Sequence, residues 1–207
     1  RLGLATRLGD DPVAIDRVAF YGLDHVPESR RDDLDYDYTL PADSNLDADP
    51  SHTVLVGHGL FTPFAHANWE TETALAESTV DFDAVLLGDN HAPGVEQVDD
   101  VWVTYCGSTE RASASEADER GYNVVAFDAD DPGPAGVDIR RKSLPTREFV
   151  FVTADLEPGE GAGRVRERVG QHDLDDAVVI VEITGDGDPV TPGGIESFAL
   201  DNGALIA

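Results

Sequence analysis

The chain has no methionine, one cysteine and one lysine in 207 residues, and only 7% of it is aromatic. A single thiol, Cys106, excludes an internal disulfide and any all-thiolate zinc site, and fits a reducing interior as a small buried hydrophobe. No run approaches the ~20 apolar residues of a membrane-spanning helix, so no membrane association is expected. No charged-then-apolar leader opens the chain, so nothing points to secretion. With Arg1 in first place and no initiator, the sequence is expected to be a piece of a longer protein, with any motif upstream of Arg1 out of view.

Positive charge is scarce as well. Forty-two acidic residues stand against 14 basic ones, a formal net charge of -28. In dilute buffer that self-repulsion opposes compaction. At molar salt the Debye length falls to about 3 Å and most of the repulsion is screened. The acids are spread along the chain rather than gathered in a tail. The composition therefore reads as adaptation to a high-salt cytoplasm, as in halophilic archaea, and does not count against nucleic-acid binding. Hydrophobic residues make up 41%, enough for a buried core.

Strands are predicted at Arg17–Leu23, Thr53–His58, Asp83–Leu87, Val101–Tyr105, Asn123–Phe127 and Gly136–Arg141, with a short helix within 69–79 capped by Asn68 or Thr71. The stretch from Pro27 to Pro50 reads as surface loop or short helix. After Pro145 the rhythm changes. A strand at Glu148–Thr153, a helix over 161–170 and a strand at Ala177–Ile183 form a β-α-β unit. The fold class is α/β.

Two of the six histidines, His58 and His91, follow the two most apolar strands, and ligands of α/β sheets bind beyond the carboxyl ends of strands. Asp89 precedes His91 by two residues, so on extended backbone the two side chains point the same way. Gly57 and Gly88 let the backbone turn sharply there. A His/Asp set suits Mn²⁺, Fe²⁺ or Zn²⁺, and ordinary strand-end histidines remain the alternative. His25, His52, His66 and His172 lack a motif and are expected to be surface or satisfied side chains. Trp69 and Trp102 are expected in the core. Nine of the 14 basic residues lie between Arg111 and Arg168, including Arg140-Arg141-Lys142, and Arg164 and Arg168 would share a helix face. They are candidates for phosphate contact or a solvated face balanced by neighbouring acids.

Read in order, Val56-Gly57-His58, then Gly88-Asp89-Asn90-His91 thirty residues on, then Cys106-Gly107-Ser108-Thr109-Glu110-Arg111 resemble the late motifs of the meiotic-recombination-eleven/SbcD nucleases. These belong to the calcineurin-like metallophosphoesterase superfamily. Glu116 and Gly121 follow the box as in the family, Tyr21-Gly22-Leu23-Asp24-His25 resembles its segment between early and late motifs, and Pro145-Thr146-Arg147 the entry to its capping domain. Asp89 stands where the family usually has histidine, and Cys106 where it has proline. The family's early motifs, which supply the bridging carboxylate and the histidine that assists the leaving group, are not found in order, so this chain is expected to be inactive alone.

The resemblance implies a partial metallophosphoesterase-type β-sandwich flanked by helices over 1–146, and a small α/β capping, DNA-positioning domain over 147–207. It implies metal ligation by His58 and Asp89 at one ion and His91 at the other, with two Mn²⁺ per complete site. It also implies exonuclease and endonuclease action on DNA ends at double-strand breaks, a homodimer, and a Rad-fifty/SbcC-type ATPase partner. Arg111, Arg140, Arg141 and Lys142 would be nucleic-acid contacts, with Arg111 also a candidate for ordering the active-site loop. The rival readings are a phosphoesterase acting on a small phosphate ester and a catalytically degenerate scaffold that binds DNA or a partner.

Overall fold

The computed structural model describes residues 7–8, 12–27, 29–30, 50–113, 116 and 119–207. The loop reading for Pro27–Pro50 lies mostly outside them. The chain divides into two compact units, Arg1–Thr109 with Asp118–Leu144 and Glu110–Ala117 with Pro145–Ala207.

In the first unit, β1 (Val13–Ile15), β2 (Val18–Leu23), β3 (His52–His58), β4 (Ala84–Gly88), β5 (Gly94–Val98) and β6 (Val101–Tyr105) form one sheet in the order β1-β2-β3-β4-β6-β5. The four central strands are parallel, and β1 and β5 are antiparallel edges. The central strands read as nearly continuous apolar runs because both faces are covered. Tyr21, Leu55, Val85, Leu87, Val103 and Tyr105 point to one side, where Phe61, Trp69, Phe82 and Ala74 of α1 (Thr71–Ala76) meet them. Val54, Val56, Ala84, Leu86 and Trp102 point to the other side. There the antiparallel pair β7 (Gly121–Phe127) and β8 (Val137–Ser143) packs Val125, Phe127, Val137 and Ile139 against them. A second layer of strands thus lies on one face of the mixed sheet, an arrangement compatible with a metallophosphoesterase-like fold.

Neither predicted cap closes α1 through its side chain. Glu70 is the N-cap residue, and Thr71 N–H donates to Thr62 Oγ1 at 3.0 Å, so the helix start is held from a neighbouring loop. Trp69 is buried as expected. Cys106 is exposed rather than buried, because it lies just past the end of β6, where the chain has left the core.

In the second unit, β9 (Phe149–Leu156) and β10 (Val178–Gly185) pair in parallel, joined through α2 (Ala162–Val169). Alternate β9 residues Val150, Val152, Ala154 and Leu156 bury against Val165 and Val169 of α2 and Ile195 and Ala199 of α3 (Pro192–Asp201). Sequence reading missed α3, whose first turn contains Pro192, Gly193 and Gly194; Pro suits that position, and burial of the later apolar residues sustains the helix. Arg164 pairs with Glu160 and Glu167, so that basic face is balanced by neighbouring acids.

Candidate metal centre

The parallel order of β2, β3, β4 and β6 brings their carboxyl ends to one edge of the sheet, and residues following each strand gather there. His58 ends β3 and pairs in register with Gly88, the last residue of β4. A Cβ on Gly88 would lie 2.8 Å from His58 Nδ1, so the glycine lets the imidazole lie over the neighbouring strand. Asp89 comes next with φ 97°, outside the region that side-chain-bearing residues favour. Such a conformation costs on the order of 1–3 kcal/mol and is found most often where function requires it.

The result is His58 Nε2 facing Asp89 Oδ1 at 3.9 Å, with both side chains substantially exposed. That is too long for a hydrogen bond. It is within the span two donors can have when each lies about 2.1 Å from a shared ion, which cannot exceed ~4.2 Å. One imidazole and one carboxylate fit a borderline divalent cation such as Mn²⁺. No three or more His, Cys, Asp or Glu side chains converge closely enough to hold a metal among the described residues. The pair is therefore part of a donor set rather than a whole one. His91 stands two residues beyond Asp89 with its side chain exposed and is not drawn into a three-residue cluster with the pair.

The turn carrying His91 is fastened through its backbone. The His91 carbonyl accepts from Ser108 N–H at 3.1 Å and from Arg120 Nη1 at 2.9 Å. Gly107, at φ 71°, permits this approach, since a Cβ there would lie 2.7 Å from the His91 oxygen. The Gly-Ser pair of the box thus backs the His91 turn. Tyr105 holds the neighbouring loop by donating to the Gly59 carbonyl at 2.6 Å and accepting from Phe61 N–H at 2.9 Å. Burial pushes its phenol up to about 12, with the Asp89 charge adding to the rise and the Phe61 N–H opposing it.

The basic candidates separate. Arg140-Arg141-Lys142 lie on one strand, so alternate side chains face opposite ways and the three do not make one patch. Arg141 donates to the Cys106 carbonyl at 2.7 Å and the Glu119 carbonyl at 3.0 Å, while Arg140 pairs with Asp138 and Lys142 is exposed. Arg111 belongs to the second unit, with its guanidinium 5.5 Å from the centre of the Phe149 ring.

Sequence reading gave no site role to three residues here, of which His25 was expected as a surface or satisfied histidine. His25 Nδ1 lies 3.1 Å from the His58 carbonyl, Arg120 is fully buried, and Tyr105 ties the loop after β3 to the end of β6. None carries a spacing signal, because each acts through a backbone carbonyl supplied by a distant segment.

A mixed α/β sheet with histidine and carboxylate at adjacent strand ends is compatible with a metallophosphoesterase-like fold. No protein-family model matches the chain. Over all 207 residues it is 64% identical to the DNA double-strand break repair protein Mre11 of Haloferax volcanii, covering 44% of that protein. It is 59% identical over 205 residues to the Mre11 of Halobacterium salinarum, covering 51%, and 34% identical over 215 to that of Methanosarcina acetivorans, covering 33%. The chain belongs to the Mre11 family and is of the haloarchaeal type. It spans about half the length of these haloarchaeal relatives.

Proposed function

We propose that this chain is part of a Mn²⁺-dependent nuclease that processes DNA double-strand breaks, and that it contributes the late half of a two-metal site. The observation that carries the reading is the 3.9 Å approach of His58 Nε2 to Asp89 Oδ1 at adjacent strand ends, in a chain similar throughout to Mre11 repair proteins. His58 and Asp89 hold one ion and His91 the other. Bound ions supply an activated water and stabilise charge on the attacking and leaving oxygens of a phosphodiester. Residues 1–146 are the later portion of the phosphoesterase domain and residues 147–207 the capping domain. The working assembly is a cytoplasmic homodimer with a Rad-fifty/SbcC-type ATPase. Arg140 and Lys142, whose heads are exposed on β8, are the contacts with the DNA backbone that this chain offers most readily.

The test uses the longer protein that contains this chain, in Mn²⁺ and molar salt, with linear duplex DNA and a small chromogenic phosphodiester as substrates. His58→Ala and His91→Ala should each lower duplex digestion by at least ~100-fold, in line with the loss of charge stabilisation at a metal. Unchanged digestion would overturn the reading, and turnover of the small ester with no action on duplex would replace it with a small-substrate phosphoesterase.

A further inference from the structure

Arg120 is 2% exposed and is the largest fully buried side chain among the described residues. A guanidinium in such a place must be held by acceptors, and the acceptors it takes are informative. Its Nη1 donates to the His91 carbonyl at 2.9 Å and to Ser108 Oγ at 3.0 Å. Ser108 N–H donates to that same carbonyl at 3.1 Å, so the His91 oxygen receives two donors, its full complement. The peptide that follows His91 is thereby fixed in orientation, and with it the backbone from which the imidazole departs.

Arg120 is itself anchored. Its carbonyl accepts from Leu144 N–H at 2.9 Å, just past the end of β8. Across the hairpin, Arg141 bonds the carbonyls of Cys106, the first residue of the box, and Glu119, the neighbour of Arg120. The β7–β8 pair is packed on the sheet through Val125, Phe127, Val137 and Ile139. A rigid layer therefore carries a charged donor to the back of the His91 turn. The charge by itself would work against a neighbouring cation site, where a carboxylate would be favourable. What a guanidinium offers is strong, directional hydrogen bonding to carbonyl and hydroxyl oxygens.

We propose that Arg120 is the positioning residue for His91, acting through the His91 carbonyl and Ser108 to aim the imidazole at its metal. This deepens the nuclease reading and rests on it for the metal. The test is NMR on the longer protein that contains this chain, in molar salt, following His58 and His91 ring signals and Ser108 amide exchange, with Mn²⁺ alone as probe. The variants are Arg120→Lys, Ser108→Ala, which removes one acceptor and leaves the buried charge in place, and Val137→Ala as a control. The control is destabilised in the hairpin–sheet core without touching the His91 turn.

In Arg120→Lys the Mn²⁺ concentration that half-broadens the His91 signal should rise about tenfold, as for other lost partners of metal ligands. His58 should respond as in the unmodified chain, and Ser108 amide exchange should accelerate without metal. Ser108→Ala should shift His91 in the same direction by less. Val137→Ala should lower the melting temperature and leave the His91 response unchanged. If Arg120→Lys lowers the melting temperature and His91 behaves as in Val137→Ala, Arg120 is structural only and the proposal falls. If Mn²⁺ broadens neither histidine in the unmodified longer protein, the nuclease reading fails, and the metal-free Ser108 exchange still decides whether Arg120 fixes the turn. Should Arg120→Lys not fold, Ser108→Ala decides, and an unchanged His91 response in it overturns the proposal.

Discussion

Gly88→Ala isolates the geometry of the candidate centre from the stability of the fold. The added Cβ would lie 2.8 Å from His58 Nδ1, 3.6 Å from Cε1 and 3.8 Å from Cγ. The first contact is closer than real Cβ atoms tolerate. The backbone at Gly88 lies outside the left-handed region, and the His58 side chain is 66% exposed, so the ring can swing aside. The expected change in stability is therefore within about 1 kcal/mol. The swing breaks the facing of His58 Nε2 and Asp89 Oδ1 that now spans 3.9 Å. Mn²⁺ affinity should fall by about 10–100-fold, or roughly 1.4–2.7 kcal/mol. Isothermal titration of Mn²⁺ in about 2 M KCl, where the Debye length is below about 3 Å, separates this site from diffuse attraction to the acidic surface. Equal affinity within twofold, at equal melting temperature, would show that His58 in this orientation is not a ligand.

Tyr105→Phe should leave the Gly59 carbonyl and the Phe61 N–H without their buried partner, at about 1–3 kcal/mol for each group. Urea unfolding with an unchanged slope should show a loss of about 2–6 kcal/mol, and a loss under ~0.5 kcal/mol would refute the bridging role. The Tyr105 phenol is raised from 10.0 to about 12, so its contribution to stability is complete below pH 10 and is lost as pH climbs through about 12. Phenolate absorbance should show late titration, to which Tyr21 also contributes because burial raises its phenol, and one late-titrating group should disappear in Tyr105→Phe. Lowering KCl from about 2 M to about 0.1 M lengthens the Debye length to about 10 Å, and with a net charge of -28 the chain should lose cooperative folding, recovered on adding salt back. A melting temperature independent of salt would contradict the reading of its composition.

The central strands and both β9 and β10 were legible because apolar runs bounded by glycine, proline and aspartate are local signals. The edge strands β1 and β5 were not, since β5 is polar and exposed and β1 has only three residues. Helix α3 was hidden by proline and two glycines in its first turn.

His58, Asp89 and His91 were singled out because strand ends and motif order are written in one dimension; the structure brings His58 and Asp89 together and draws no third such side chain to them among the described residues. The sequence by itself determined the α/β class, the strong excess of acidic residues and the order of the late motifs, all of which depend on composition or near-neighbour pattern. Only the tertiary structure decided that His58 faces Asp89, that Arg141 serves two carbonyls and not a shared basic patch, and that Arg120 lies behind His91. Those contacts join residues 22 to 35 positions apart, and those of Arg141 and Arg120 run to backbone oxygens, which every residue possesses, so no residue type in the sequence marks them.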